Sequence, residues 1–371
     1  MTFGCGKIII CVWIILGLLS GFCIEQARAQ ALSGIRVLDQ PALAVKAPDK
    51  VTIVALARAG NRLVGVGAHG VIIYSDDNGM TWKQASVPVG VLLTCVAFAT
   101  PESGWAAGQF GIILHSADAG ATWQEQLNGI QVNQLIQANA NAALAANPNS
   151  SDAQRAVHRA GFFIADGPNK PFLSILATDA NTVTVFGAYR MAVKTTDGGK
   201  NWSDWSLKIG DPLSHNLYDV DSVGPQIFIA GEAGNDFISS DRGNSFTEMP
   251  SPSPDESTMF GVIATGDGGV LIFGVAGEAY SSHDAGKTWQ AAPLGTSRNL
   301  TAARTLASGA IVVAAEDGNL YVSHDHAKSF TRAPQPVPMA LYDLEQAQNG
   351  AVIVAGNAGV MALPASDFGQ N

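Results

Sequence analysis

The chain has 371 residues, of which 40 are glycine and only 14% are charged, a composition that favours a β-rich protein with many tight turns. Its formal net charge is −10 at pH 7. An acidic surface argues against nucleic acid and anionic lipid as main partners, because both require a basic face that displaces counterions.

The N-terminus has the layout of a secretory signal peptide. Lys7 precedes an apolar run from Ile8 to Ile24, and small residues at the end of a short polar segment predict cleavage after Ala29. The run is short for a membrane span of about 20 residues. An uncleaved anchor stays open as an alternative, whereas lipidation at Cys23 is disfavoured by the bulky Phe22 before it. We therefore expect residues 1–29 to be a leader and the remainder to be exported to the periplasm.

Removing the leader leaves 19 basic and 30 acidic residues, a net charge of −11, and a single cysteine. Cys95 lies in the apolar stretch LLTCVAF and is predicted to be a buried small hydrophobe. No disulfide framework is then available, so a hydrophobic core must stabilise the fold.

A turn motif of the form Ser-x-Asp-x-Gly-x-Thr-Trp recurs along the mature chain. Its first copy lies within YSDDNGMTW (74–82). The other copies are SADAGATW (116–123), TTDGGKNW (195–202), SSDRGNSF (239–246), SSHDAGKTW (281–289) and the degraded SHDHAKSF (323–330). Six copies argue that the motif is part of a repeat architecture.

A second motif, Gly-x-x-Gly after an apolar run, precedes each Asp turn. Its copies begin at residues 67, 108, 187, 231, 274, 315 and 356, of which GAYR (187–190) and AEDG (315–318) are imperfect. The steps between them are 41, 79, 44, 43, 41 and 41 residues, so one step is lengthened. This spacing predicts seven repeats.

Each repeat reads as four short strands. Four strands per roughly 42 residues, repeated seven times, is typical of a β-propeller. The seventh repeat has no Trp-bearing strand, and we expect the segment around Ile35–Leu38 to complete that blade and close the ring. The predicted fold is therefore an all-β, seven-bladed propeller with Asp-box (BNR-like) repeats over residues 33–368.

The lengthened step contains an alanine-rich stretch, the breaker NPNSS and a second helical pattern from Ser151. These features predict a small helical insertion, residues 130–166, between blades 2 and 3.

The two motifs should lie on opposite faces of the disc, because they alternate along antiparallel strands. The Asp turn has a sufficient structural explanation: the carboxylate accepts turn amides, the glycine adopts positive φ, and the aromatic residue packs between sheets. We assign this structural role to Asp77, Asp118, Asp197, Asp241, Asp284 and Asp325.

The opposite face carries the insertion and the more variable residues, so we expect a binding surface there. The candidate binding residues, from the Gly-x-x-Gly turns and the starts of the inner strands, are His69, Phe110, Tyr189, Arg190, His215, Tyr218, Glu232, Phe260, Glu316, Asp317 and Tyr342. Aromatic residues at this position can also simply fill the space between inner strands.

An alternative is a glycan-acting hydrolase, because Asp turns of this type occur in sialidases. That chemistry requires an arginine cluster, a Tyr–Glu nucleophile pair and an acid, yet the mature chain has only ten arginines and lacks the arginine motif expected before the first blade. The seven histidines are scattered, and His324 and His326 flank a degraded turn, so we predict no catalytic residue, metal site or cofactor.

The repeat GxxGxIxxSxDxGxTW in an exported seven-bladed propeller resembles the photosystem II stability/assembly factor family. GWAAGQFGIILHSADAGATW (104–123) and ADGPNKPFL (165–173) are particularly similar to bacterial members that carry the same insertion. The resemblance covers essentially the whole mature chain.

The resemblance implies a non-enzymatic role in the assembly of a membrane complex, either a photosynthetic one or another complex served in a homologous way. In that role the protein binds an unassembled integral membrane protein on its exported side. In phototrophs the family binds a photosystem II reaction-centre precursor through an arginine-rich patch. This acidic chain has only Arg190 at an expected surface turn. We therefore expect a monomer that serves another envelope complex, such as a transporter, and binds no nucleic acid.

Overall fold

The computed structural model describes residues 38–210, 214–334 and 336–369. The fold is a ring of seven antiparallel sheets, six with four strands and the last with three. Blade 1 consists of β1 (Ile53–Ala59), β2 (Arg62–Gly67), β3 (Ile72–Ser75) and β4 (Lys83–Gln84). Blade 2 consists of β5 (Leu93–Phe98), β6 (Gly104–Gly108), β7 (Ile113–Ser116) and β8 (Gln124–Leu127). Blade 3 consists of β9 (Phe172–Ala177), β10 (Val183–Gly187), β11 (Ala192–Thr195) and β12 (Ser203–Asp204).

The remaining blades follow the same order. Blade 4 consists of β13 (Leu217–Val223), β14 (Gln226–Gly231), β15 (Asp236–Ser239) and β16 (Thr247–Met249). Blade 5 consists of β17 (Met259–Ala264), β18 (Val270–Gly274), β19 (Ala279–Ser282) and β20 (Gln290–Ala291). Blade 6 consists of β21 (Leu300–Thr305), β22 (Ile311–Ala315), β23 (Leu320–Ser323) and β24 (Thr331–Arg332). Blade 7 consists of β25 (Leu341–Gln346), β26 (Val352–Gly356) and β27 (Gly359–Leu363).

The ring closes through contacts between inner strands. Each inner strand touches the inner strands of both neighbouring blades, and β25 contacts β1. The second strand of every blade is almost entirely buried because sheets cover both of its faces, and this explains its continuous apolar run. Between blades 7 and 1, for example, Ile353 packs in one core with Ile53 and Leu63. The predicted seven-bladed propeller is confirmed.

Blade 7 has three strands among the described residues. Leu38, the described end of the segment predicted to close it, packs instead in the core shared by blades 1 and 2, and residues 35–37 lie outside the described part. The segment before β1 joins the two ends of the ring. Its Asp49 carbonyl oxygen would lie only 1.9 Å from a Cβ at Gly359. The backbone of this segment therefore lies directly over the last Gly-containing turn.

The insertion between blades 2 and 3 is a pair of helices, α1 (Gly129–Ala146) and α2 (Ser151–Asp166), as predicted. Asn128 caps α1 in a capping box with Gln131. Val132 and Phe163, one from each helix, are buried in the core of blades 2 and 3, which also contains Trp105 and Phe172. The insertion is thus an integral part of that core.

Candidate functional site

The two repeated turns lie on opposite faces, since the strands of each blade alternate in direction. We call the face with the Gly-x-x-Gly turns and the blade-to-blade connections the crossover face. The insertion is one of these connections, and it touches a Gly-x-x-Gly turn: a Cβ on Gly111 would lie 2.7 Å from the Gly129 Cα atom. The insertion and the charged channel wall, which both depart from the sevenfold repeat, lie on this face or in the central channel.

The six Asp turns on the other face share one hydrogen-bond pattern. In the first, Asp77 Oδ1 accepts the Ser75 hydroxyl at 2.8 Å and the Thr81 amide at 2.8 Å, while Asp77 Oδ2 accepts the Thr81 hydroxyl at 2.5 Å. The Gly79 amide donates to Ser75 Oγ at 2.9 Å. The turn therefore satisfies its own polar groups.

These donors have a common electrostatic effect. The Thr81 hydroxyl and amide lower the pKa of Asp77 to about 2, and donors at the same positions lower the pKa values of four further turn carboxylates to about 2. At Asp118 burial opposes the shift, and the same kind of donors still lower its pKa. All six carboxylates are held as anions by their own turns.

Three of the predicted binding residues meet at the central channel. Tyr218, Phe260 and Tyr342 are the second residues of β13, β17 and β25, and all three line a cavity of about 510 Å³ inside the ring. The rings of Tyr218 and Phe260 form an edge-to-face pair with centroids 5.5 Å apart. Tyr342 is 37% exposed. Because inner strands start at the crossover face, these aromatic rings form the channel mouth on that face.

Other predicted residues form turn contacts instead. Glu232 accepts the Asn216 amide at 3.1 Å, and Glu316 accepts the Asn299 side chain at 3.0 Å, so each carboxylate ties its turn to the preceding connection. Asp317 accepts the Asn319 side chain at 2.7 Å. Three more contribute backbone or core contacts: the His69 carbonyl accepts the Leu43 amide, the His215 carbonyl accepts the Arg190 amide, and Phe110 packs on the core of blades 1 and 2.

Sequence reasoning missed the charged residues of the channel wall. Asp219 Oδ2 accepts the Val262 amide at 3.1 Å and its Oδ1 accepts the Ser174 hydroxyl at 3.1 Å. Asp343 Oδ2 accepts the Leu56 amide at 2.7 Å. In each case a carboxylate of one inner strand bonds an edge amide of the next, which links neighbouring blades across the ring.

The environment of these carboxylates differs from that of the Asp turns. Burial in the channel wall raises the pKa of Asp219 to about 7 and that of Asp343 to about 6, and it also raises the pKa of Asp221. Arg304, whose Nη2 lies 3.3 Å from Glu345 Oε2, opposes the shift at Asp343. These charged residues belong to blades 4, 6 and 7, and Arg58 of blade 1 also lines the cavity.

A second cavity, of about 770 Å³, lies between α2 and the connection from blade 3 to blade 4. Arg190, a predicted binding residue, lines it together with Arg155 and Arg159 of α2. Arg190 is at a turn, as expected, and the inserted helix brings two further arginines to this surface. Among the described residues, no group of three or more histidine, cysteine, aspartate or glutamate side chains is arranged to hold a metal ion.

Seven sheets in a ring and an inserted helical pair define the chain as a seven-bladed β-propeller with a helical insertion. The family described as Photosynthesis system II assembly factor YCF48 matches residues 42–146 and 168–335. The match covers well over half of the chain, so the chain belongs to this family.

Individual relatives are more distant. The Photosystem II assembly lipoprotein Ycf48 of Synechococcus sp. (strain CC9902) is 29% identical over 119 residues, which is 32% of this chain and 36% of that relative. The match thus spans about a third of the relative's length.

The structural likeness extends over nearly the whole ring. A structure titled YCF48 bound to D1 peptide has a TM-score of 0.62 at 16% identity, covering 86% of this chain and 97% of that one. YCF48 from Cyanidioschyzon merolae has a TM-score of 0.59 at 15% identity, covering 85% and 96%. At such identities the likeness shows the propeller fold.

No helix in the described parts of the chain combines the length and the apolar character that a membrane crossing requires.

Proposed function

We propose that this chain is an exported, non-enzymatic assembly or accessory factor that binds an integral membrane protein on its exported side. It acts as a periplasmic monomer after loss of the leader, and its client belongs to an envelope complex such as a transporter. The observation that carries the proposal is family membership together with a peptide-bound YCF48 of the same fold.

The geometry supports the crossover face as the client-binding surface. Two exposed tyrosines, Tyr342 at the channel mouth and Tyr189 beside the arginine-lined cavity, are 37% and 48% exposed. Exposed tyrosines are common at binding surfaces, since the ring supplies apolar area and the hydroxyl supplies a hydrogen bond. On the other face the six carboxylates are already engaged within their own turns.

Crosslinking in the native host, followed by capture of the tagged full chain in mild detergent, tests this proposal. We expect an integral membrane protein to be enriched, and enrichment to fall strongly in the double variant Tyr189→Ala/Tyr342→Ala. Met80→Ala is the matched control, because Met80 is 83% exposed and lies on the Asp-turn face. Deleting the insertion is a poor test, since its helices form part of the core of blades 2 and 3.

Enrichment that survives the double variant would show that the client binds elsewhere, and no membrane partner at all would contradict the proposed function.

The sialidase-like alternative makes a separate prediction. Raised pKa values such as those of Asp219 and Asp343 suit a general acid. However, both carboxylates accept backbone amides of the adjacent inner strand, and this structural role accounts for their place in the wall without any chemistry. Turnover of a sialoside by the purified chain, abolished by Asp219→Asn, would replace the proposed function with a hydrolase.

A further inference from the structure

The Gly-x-x-Gly turn of blade 4 is closed by a side chain, whereas the backbone closes the equivalent turn in five other blades. In those five blades the amide of the first turn residue donates to the carbonyl of the residue four positions later, at 2.9–3.2 Å. In blade 4 the Gly231 amide instead donates to Asp236 Oδ1 at 2.9 Å. The hydrogen bond that holds this turn therefore depends on a group that can gain or lose a proton.

The backbone of blade 4 differs from the other blades at the same place. Asn235 has ψ 75°, whereas the residue at this position has ψ between 121° and 138° in blades 1, 2, 3 and 5. β14 and β15 form three residue pairs, and this pairing ends at Phe237, one residue short of Asp236. The corresponding hairpins of blades 1, 2, 3, 5 and 6 have four pairs. The Asp236 side chain thus replaces part of the backbone ladder.

Asp236 points into an apolar core. It pairs across β15 and β16 with Met249, which belongs to the core shared by blades 4 and 5. The residues in the same register of five other blades are all apolar: Ile72, Ile113, Ala192, Ala279 and Leu320. Asp236 is 0% exposed, and its Oδ2 atom has no hydrogen-bond partner among the described residues. Such a site strongly disfavours the ionised carboxylate.

The elements packed around Asp236 carry acidic groups but no basic ones. Strands β14 to β19 and the connection formed by residues 250–258 contain no lysine, arginine or histidine. The titratable groups of these elements and of the turn itself are Glu232, Glu248, Asp255, Glu256, Glu278 and Tyr280. Burial raises the pKa of Asp236 to about 7, and the Gly231 amide opposes that shift. Nothing on these elements therefore compensates the charge of an ionised Asp236.

The blade 4 turn contacts two connections on the crossover face. A Cβ at Gly234 would lie 3.0 Å from the Glu256 Cα atom, so the connection to blade 5 packs directly on the turn. On the other side the Glu232 amide donates to the Asn216 carbonyl at 3.1 Å, and Asn216 Oδ1 accepts the Tyr189 amide at 3.1 Å. Tyr189 is 48% exposed on this face. A movement of the turn would therefore reach both connections and Tyr189.

We propose that Asp236 is a pH-sensitive latch: its neutral carboxylic acid holds the blade 4 turn closed, and its ionisation releases the turn together with residues 250–258. Opening the turn gives the anion access to water, because Asp236 lies only two residues beyond Gly234 at the crossover face. The latch changes the shape of this face with pH, whichever partner binds there, so the inference is independent of the proposed function.

The direction of the pH dependence follows from the linkage between proton binding and opening. Asp236 has a higher pKa in the closed turn than the ordinary 3.8 of a solvated aspartate. Its contribution to closure is therefore complete below about pH 4 and is lost as the pH rises through 7. The equilibrium constant for opening should increase about tenfold between pH 6 and pH 8 and change little above pH 8.

Hydrogen–deuterium exchange of the purified full chain tests the latch, measured by mass spectrometry at pH 6 and pH 8 and corrected for intrinsic exchange rates. We expect the protection of residues 231–236 and 250–258 to fall about tenfold at pH 8 relative to pH 6. The equivalent turn of blade 2, residues 108–113, is the internal control, because the Ile112 carbonyl closes it and cannot ionise. Its protection should stay within about twofold.

Asp236→Asn keeps an oxygen that can accept the Gly231 amide but removes the titration, so the difference between pH 6 and pH 8 should disappear. Asp241→Asn is the matched control, with the same substitution in the same blade. The donors of its own Asp turn, the Ser245 hydroxyl first, hold the pKa of Asp241 at about 2, so it does not titrate between pH 6 and pH 8. The tenfold difference should therefore remain in this variant.

Three outcomes would overturn the latch. The first is unchanged exchange of the blade 4 turn between pH 6 and pH 8, and the second is a pH difference that survives in Asp236→Asn. The third is an equal change in the blade 2 turn, because the whole ring would then respond to pH. If Asp236→Asn does not fold, the comparison of blades 4 and 2 in the wild-type chain still decides.

Discussion

Two groups of aspartates accept backbone amides in this propeller, in opposite electrostatic settings. In the Asp turns, hydroxyl and amide donors of the same turn lower the pKa to about 2, as at Asp77. In the channel wall, burial raises the pKa of Asp219 to about 7 although an amide of the next blade donates to it. The first arrangement recurs in six blades, whereas the second occurs where individual inner strands depart from the repeat.

The difference teaches where to look for function in a repeat protein. A repeated carboxylate with all its donors in one local turn stabilises each blade independently. A carboxylate in a single blade depends on neighbours distant in sequence, so it is costly and specific to this ring. Variants in the two groups should therefore change the free energy of unfolding by different amounts.

The largest effect is expected in the channel wall. Arg304→Met leaves Glu345, which is 8% exposed, without its partner at 3.3 Å and close to Asp343. We expect the free energy of unfolding to fall by about 2–3 kcal/mol at pH 8. This loss is below the usual range for a fully buried pair because about a third of the Arg304 side chain is exposed. Urea denaturation measures the change.

The double variant Arg304→Met/Glu345→Gln should recover part of that loss, because no unpaired anion remains. A single variant as stable as wild type would show that the wall charges are effectively solvated.

A repeated turn should lose less. Ser116 is 1% exposed, and its hydroxyl oxygen accepts the Gly120 amide at 2.8 Å while the hydroxyl donates to Asp118 at 2.8 Å. Ser116→Ala leaves that amide unsatisfied, so we expect a loss of about 1–2 kcal/mol in urea denaturation. Met80→Ala, in the neighbouring turn region but exposed, should cost almost nothing. Equal stability of the two variants would contradict a structural role for the turn.

The two groups of aspartates should change the stability of the fold in opposite directions as the pH rises. Turn carboxylates have folded pKa values below the ordinary 3.8, so their contribution is present above about pH 4 and is lost as the pH falls towards 2. Asp219 and Asp343 have raised values, so their protonated forms favour folding below about pH 4, and this contribution is lost as the pH rises through 6 to 7.

Each channel aspartate contributes a slope of at most about 1.4 kcal/mol per pH unit. Urea midpoints at pH 3, 5 and 7 measure the profile. Asp219→Asn should flatten the fall between pH 5 and 7 without changing the acid limb. A variant whose profile matches wild type would show that Asp219 titrates normally in the folded ring.

The repeat spacing was enough to predict seven blades, two faces and the position of the insertion, because each blade is specified by a local pattern. The channel wall was missed although LYDVDSV and LYDLEQ carry its signal. Both strands begin Leu-Tyr-Asp, so Asp219 and Asp343 directly follow the predicted mouth residues Tyr218 and Tyr342 along the inner strands. Their amide partners lie in the following blade, which no local pattern indicates.

The arginine cavity was only half predictable. Arg155 and Arg159 are four residues apart on one helix, so a shared face followed from sequence. Which surface that face meets depends on how α2 packs, through Ala156, Ala160 and Phe163, on the core of blades 2 and 3. The closing strand predicted for blade 7 likewise required a long-range pairing, and the described end of that segment packs on blades 1 and 2.

The smallest effect isolates what Arg190 does for the fold. Arg190→Gly restores the residue found in the other six blades and removes the strain of positive φ, so stability should rise by up to about 1 kcal/mol or stay unchanged. Arg242→Gly relieves the same conformation in an Asp turn and should behave alike. A thermal melt of the two variants measures the difference. Clear destabilisation of Arg190→Gly alone would show that its side chain braces the turn, whereas equal changes in the two variants would show that only the positive φ matters.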